Sequence, residues 1–319
     1  MTITVVGHLC IDEIHAAQNG DNGTTPRTDF GGIFFSLATL ASLSGPKDTL
    51  HPVFGVGEED FDDLNKRLEA LPGVDTSGIF KLKGRTNHVY HFPEKVGKDR
   101  IECSEHISPP IPYSRLKPFL DTDGILINMV SGSDITLETL DLIRMAVRDA
   151  RTPIHFDFHS LTLGIDQESK RFRRPLTDWR RWCFMLNSIQ MTEEEALGLT
   201  VEHYDEPTLI NQMMPLMVNA LVITRGAHGG TAVLQSNKKL TRFDFAGTSY
   251  GDAIDPLGCG DIYGAAFLSR YLQRKDYRNA AEFANQLAGM KATAPGISHM
   301  AEFVEKLNAV TPVHGVSQS

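Results

Sequence analysis

The chain has 319 residues, 41% of them hydrophobic and 22% charged, with a formal net charge of −9. That is an ordinary soluble composition, with length for about two domains or one large α/β domain with an appendage, and for a sizeable core without staples. The acidic balance excludes broad phosphate-tracking surfaces, so neither nucleic acid nor an acidic membrane is an expected partner, while a small basic pocket for a phosphorylated molecule stays open. Cys10, Cys103, Cys183 and Cys259 are scattered and form no C-x-x-C pair, which suits a reducing compartment and gives no zinc signature. The opening "MTITVVGHLCIDEI" lacks the basic start of a signal peptide, and no apolar run is long enough to span a bilayer. The expected location is the cytoplasm.

In chain order, apolar β-branched runs alternate with helix-like sequence. "ITVVGHL" (3–9) and "HPVFGVG" (51–57) read as strands, the second followed by the amphipathic "DFDDLNKRLEAL". "GILINMV" (124–130), "PIHFDF" (153–158), "CFMLNS" (183–188) and "ALVITRG" (220–226) extend the series. Near-continuous apolar strands alternating with helices predict an α/β fold whose mostly parallel central sheet is covered on both faces. Such sheets place ligands at the carboxyl ends of their strands. Residues 11–30 and 79–108 break the rhythm with polar–apolar alternation, as in "NHVYHF". They predict antiparallel strands with one solvated face, pairing into a small sheet that would form a lid over the strand ends. The final "TPVHGVSQS" is expected to fray.

Three glycine-rich turns fall at predicted strand ends: "DFGGIFFSLATLASL" (29–43), "TRGAHGG" (224–230) and "DAIDPLGCGDIYGAAFLSRYL" (252–272). In the last, Gly258 to Asp261 precede an apolar helix-like run. Glycine lets backbone approach a ligand closely, and a helix start offers unpaired N–H groups with a partial positive charge. Together the turns point to a phosphate-rich ligand. "GVGEED" (55–60) lacks the third glycine of a dinucleotide fingerprint, and no G-x-x-x-x-G-K-[ST], H-E-x-x-H or G-x-S-x-G is present. "HFDFH" sets His155, Asp157 and His159 on one strand face. A metal site is one reading; the preferred one is a strand end that carries polar groups into a site, because an extended strand spaces the three too widely for one ion.

With these motifs in this order, the chain resembles the ribokinase-like (PfkB) carbohydrate kinases over nearly its whole length. "GHLCIDEI" supplies the sugar-binding Asp12, and the G-G-x-x-x-N-x-A signature is matched by Gly31, Gly32 and Ala38, with Ser36 at the Asn position. The V-G-x-D element is matched within "GVGEED". The N-x-x-E element, which helps hold Mg²⁺ through water, is matched by Glu195, with Thr192 in place of Asn. The nucleotide-side T-x-G-x-x-G appears as Thr224, Gly226 and Gly229. D-T-x-G-A-G-D appears as Asp255, Gly258, Cys259, Gly260 and Asp261, with Pro256 replacing Thr.

The resemblance implies a ribokinase-like three-layer fold across residues 1–319, with lid segments at about 11–30 and 79–108. It implies transfer of the γ-phosphoryl group of MgATP to a hydroxyl of a sugar or sugar-like acceptor. Asp261 would be the general base, and Gly258, Cys259, Gly260 and Asp261 the anion hole. Asp12, Gly31, Gly32 and Ser36 would hold the acceptor, Thr224, Gly226, Gly229 and Asp255 the nucleotide, and Glu195 the Mg²⁺. Some relatives carry a monovalent-cation loop near Asp255, which Pro256, having no N–H, would alter. A homodimer through the lid is one option the sequence leaves open. Two alternatives stand beside this reading: a nucleoside or vitamin-alcohol kinase of the same fold, and a non-catalytic ligand-binding relative. Cys259 is expected to be the most readily alkylated cysteine of the empty protein, unless its side chain only fills an apolar gap.

Overall fold

Strands that are apolar on both faces need cover on both faces, and the chain supplies it from helices that alternate with them. The structure, a computed structural model, describes residues 1–15, 26–92, 101–236, 239–248 and 250–310. Its first half contains β1 (Thr2–Val6), β2 (Leu9–Ile14), β3 (Arg27–Gly32), α1 (Ile33–Leu43), β4 (Thr49–Gly57), α2 (Phe61–Glu69), β5 (Ile79–Leu82), β6 (Asn87–Phe92), β7 (Ile101–Glu105), α3 (Tyr113–Leu116), β8 (Gly124–Asn128), α4 (Leu137–Val147) and β9 (Ile154–Asp157). The second half contains β10 (Leu163–Ile165), β11 (Arg171–Arg173), α5 (Trp179–Cys183), β12 (Ser188–Thr192), α6 (Glu193–Gly198), α7 (Glu206–Met213), β13 (Ala220–Thr224), β14 (Gly230–Ser236), β15 (Lys239–Phe245), α8 (Cys259–Arg274), α9 (Tyr277–Lys291) and α10 (Met300–Val310).

Among the described residues a nine-stranded sheet runs in the order β15-β14-β13-β12-β9-β8-β1-β4-β5. Every pairing from β13 to β5 is parallel, while β14 and β15 add an antiparallel edge. The two-residue period of β13 divides the core. Leu221 and Ile223 join the cluster that holds the α4 stripe Leu137, Leu140, Ile143 and Val147. Ala220 and Val222 join the cluster formed with Ile262 and Ala266 of α8 and Ala280 and Ala284 of α9. Small residues on that second face let α8 lie close against the sheet. This is the expected α/β architecture.

One strand is shifted from its expected place. "CFMLNS" is not a strand: Cys183 ends α5, and β12 begins only at Ser188. The apolar stretch is a helix end plus a connector anchored by the buried Cys183 and Leu186, a pattern periodicity alone does not separate from a strand.

The two alternating segments both contribute to a separate four-stranded sheet, ordered β3-β2-β6-β7. Pairing within each segment is antiparallel, but β2 and β6, which join the segments, run parallel. Residues 79–82 depart from expectation by pairing with β4 in the large sheet. Parts of both expected lid segments, residues 16–25 and 93–100, lie outside the described residues, as does the tail 311–319 expected to fray. In β6 the alternation buries Asn87, Val89 and His91, while His88, Tyr90 and Phe92 stack in a row on the other face. Arg27 of β3 reaches the loop before α8, its Nη2 lying 2.8 Å from Asp255 Oδ2.

Candidate active site

The register of the parallel strands builds a polar row at their carboxyl ends, where such sheets leave a crevice. It pairs Asn128 with Asp157, Asp157 with Gln190, and Thr192 with Thr224. The first turn of α8 stands against this row. Asn128 Nδ2 donates to Asp261 Oδ1 at 2.5 Å, and Gln190 Nε2 donates to Gly260 O at 2.9 Å and to Asp157 Oδ2 at 3.3 Å. From the other side Ser36 Oγ donates to the main-chain oxygen of Asp261 at 3.2 Å. Ser36, expected at the acceptor, thus commits its hydroxyl to the backbone of the presumed base.

Gly258 caps α8 with φ 79°, and a Cβ there would lie 2.5 Å from the Phe35 ring, so only glycine fits this turn. Cys259 N–H donates to Pro256 O at 3.2 Å and is already used. The following N–H groups belong to a helix first turn, which has no intrahelical acceptor for them. Asp261 is 5% exposed. Burial raises its pKa above the usual carboxylate range, against the pull of His159, whose Nε2 lies 4.0 Å away, and of Asn128.

Thr224, Gly226 and Gly229 meet Pro256, Cys259 and Gly260 around a cavity of about 330 Å³ between the β13–β14 hairpin, α8 and α9. Among the described residues its lining holds no Lys, Arg, Asp or Glu. Asp255 lies outside that lining. Its carboxylate is taken by Arg27, by the N–H groups of Leu257 and Gly296 at 3.1 Å each, and by Lys291 at 3.7 Å. Burial raises the Asp255 pKa, but these partners outweigh it and leave the pKa below the usual range. Lys291 is fully buried, and its Nζ donates to Asp255 O at 2.7 Å and Leu257 O at 2.5 Å.

On the small-sheet side, Gly31 is glycine because a Cβ would overlap the Asp12 carboxylate. His91 Nε2 lies 2.9 Å from Asp12 Oδ1. Burial lowers the His91 pKa, but hydrogen bonds to Asp12 and Glu102 overcome this and leave it raised. Glu102 is held down to about 2: burial opposes ionisation, but His91 and Arg171 outweigh it. His159 has φ 39°, a backbone region side-chain-bearing residues rarely enter, at the position that brings it towards Asp261. His155, by contrast, is buried against Phe267 with Nδ1 2.8 Å from Ser188 Oγ. "HFDFH" therefore sends Asp157 and His159 to the site and His155 to the core.

Glu195 and Thr192 form a reciprocal cap on α6: Thr192 N donates to Glu195 Oε2 at 2.8 Å and Glu195 N to Thr192 Oγ1 at 3.2 Å. Burial raises the Glu195 pKa. Asp157 is raised well above the usual range, first by burial and then by repulsion from Glu195 and Asp261. Among the described residues no three His, Cys, Asp or Glu groups stand close enough to hold a metal directly. A hydrated divalent cation fits this unbalanced negative field better than a bare one. Asn128, Gln190, His159, His91, Glu102, Arg171 and Lys291 went unmarked as site residues by motif reasoning; His159 lay in "HFDFH", while Asn128, His91 and Glu102 lay in stretches read only as strands or lid.

Of the two readings of Cys259, its surroundings favour the side chain that fills a gap. Burial pushes its thiol up to about 11, outweighing Lys291, and its Sγ lies 3.6 Å from Ala288 O. Cys10 and Cys183 are buried, and burial raises Cys103 on β7 less far. Iodoacetamide mapping by mass spectrometry should therefore find Cys103 labelled before Cys259. Cys259 labelling first would contradict the buried assignment.

Residues 175–303 match the family model described as pfkB family carbohydrate kinase. No curated protein sequence matches the chain. Solved structures match almost end to end. A pyrophosphate-dependent kinase in the ribokinase family, complexed with a pyrophosphate analogue and myo-inositol, has a TM-score of 0.74 at 18% identity, covering 95% of this chain and 99% of its own. The ribokinase of Thermotoga maritima gives 0.72 at 18% identity, covering 97% and 99%. The ribokinase of Arabidopsis thaliana, complexed with ribose and ATP, gives 0.71 at 19% identity, covering 96% and 97%. The chain therefore has the ribokinase-like α/β fold and carries its pfkB family carbohydrate kinase match over residues 175–303, as the order of its glycine turns led us to expect.

Proposed function

We propose that this protein transfers the γ-phosphoryl group of MgATP to a hydroxyl of a sugar or sugar-like acceptor. The observation that carries the reading is the buried Asp261 carboxylate on the first turn of α8, next to the residue, Gly260, that lines the 330 Å³ cavity. Asp261 takes the proton of the acceptor hydroxyl as that oxygen bonds to the γ-phosphorus, and ADP leaves with the electrons of the broken P–O bond. The N–H groups at the head of α8 are suited to hold the charge spread over the transferring oxygens. Asp12, oriented by His91, is suited to accept hydrogen bonds from acceptor hydroxyls. When bound, Mg²⁺ would neutralise donor phosphates, with Glu195 and Asp157 holding it through water.

Among proteins of this fold the donor is not uniform, since one neighbour is a pyrophosphate-dependent kinase and another was complexed with ATP. The uncharged cavity favours a nucleoside over bare pyrophosphate, which would leave it unfilled. MgATP is therefore expected to support turnover across a panel of sugars, polyols and nucleosides where Mg-pyrophosphate does not. Turnover with pyrophosphate alone would contradict the donor assignment.

The residues do not fit a dissolved monovalent cation at the 255–257 loop. The Lys291 ammonium takes the oxygens of Asp255 and Leu257 that such an ion would need. Turnover is thus expected to be equal in potassium and tetramethylammonium chloride; several-fold activation by potassium would contradict it. For the base, Asp261→Asn should retain the wild-type fold by circular dichroism while losing about 10²–10⁴-fold in kcat. Near-normal kcat in the folded variant would remove Asp261 from the chemistry.

A further inference from the structure

At the amino ends of β9, β12 and β13, the opposite edge of the sheet from the site, lies a second cavity of about 430 Å³. Ile154 opens β9, while Asn187 and Asn219 directly precede β12 and β13. Strands of five residues separate the two edges by roughly 15 Å, so this cavity is not an extension of the first. Its volume suits a small organic molecule.

The charge of the lining is one-sided. Among the described residues Arg144, Arg148 and Arg151 contribute to it and no Asp or Glu does, in a chain whose net charge is −9. Arg144 is only 6% exposed. Its Nη1 lies 2.9 Å from Asp141 and its Nη2 donates to Trp182 O at 2.5 Å, but its Nε is buried without a partner. Arg148 and Arg151 are exposed, and neither guanidinium has an ion pair among the described residues. A guanidinium left unpaired beside a cavity is poised for a phosphate or carboxylate, which its fork matches.

Arg151, Met185 and Met217 all line this cavity and all have left-handed φ, at 55°, 59° and 68°, the conformation in which helices commonly end. Met217 is also 58% exposed, an adaptable apolar side chain beside a charged cluster. A lining that combines guanidinium and thioether groups suits an organic phosphate better than a bare ion.

We infer that this cavity is a second binding site, for a small phosphorylated organic molecule held by Arg148 and Arg151 together with the buried Arg144. The inference does not rest on the kinase reading. Isothermal titration calorimetry tests it on the full chain, with ribose 5-phosphate and fructose 1,6-bisphosphate as probes, citrate as the carboxylate arm and inorganic phosphate as the size control. The expected result is saturable binding of a phosphorylated probe, tighter than inorganic phosphate or citrate. That binding should weaken at least tenfold in the Arg148→Glu/Arg151→Glu variant and fall steeply with salt. Both positions are exposed, so the variant should fold, and an unchanged circular-dichroism spectrum and melting curve would confirm that it does. Equal probe affinity in wild type and variant would overturn the site. Binding of citrate without any phosphorylated probe would overturn the ligand class, and no probe binding at millimolar concentration would overturn both.

Discussion

A carboxylate placed at the head of a helix and shut away from water is the constraint on which the rest of this structure turns. Asp261 sits where the N–H groups of α8 favour negative charge and where burial disfavours it. The second effect prevails, so the group is a stronger base than a solvated aspartate. Keeping it there requires several unrelated parts of the chain to agree. Gly258 must turn left-handed under Phe35, Asn128 must reach Oδ1, and Gln190 must hold the neighbouring carbonyl. Behind the turn, Lys291 fastens the two carbonyls that precede it.

The small sheet is tied to the same turn. Arg27 joins β3 to Asp255, and Asp12, His91, Glu102 and Arg171 form a continuous chain of ion-pair contacts, none of them part of the uncharged cavity lining. The Asp12 cluster is polar and suited to hydroxyls, while the cavity lining, mostly glycine, alanine and threonine, is suited to a flat ring. That contrast is the physical basis for proposing the acceptor beside Asp12 and the donor in the cavity.

Much of this was legible because glycine turns are local. Gly31, Gly32, Gly226, Gly229 and Gly258 announce where backbone must turn or be approached, and no knowledge of distant residues is needed to see it. The alternation of β6 was equally open to reading, though not its parallel pairing with β2. What stayed hidden depends on register. Asn128 is 133 residues from Asp261, and nothing in "GILINMV" marks its last polar residue as the partner of a helix start. Lys291 is a similar case, since a lysine in the last turn of a helix ordinarily points to water. For Cys259 the sequence leaves two effects to be weighed: a helix N-terminus lowers a thiol pKa, but burial raises it by more.

The dependence of kcat/KM on pH tests the central claim most directly. A buried base works only when ionised, and its raised pKa means that ionisation is lost on acidification sooner than in an ordinary aspartate, whose pKa is about 3.9. The account predicts an acidic limb with an apparent pKa clearly above that value, absent from the residual activity of Asp261→Asn. A rate that stays flat down to the ordinary carboxylate range while the protein remains folded would contradict it.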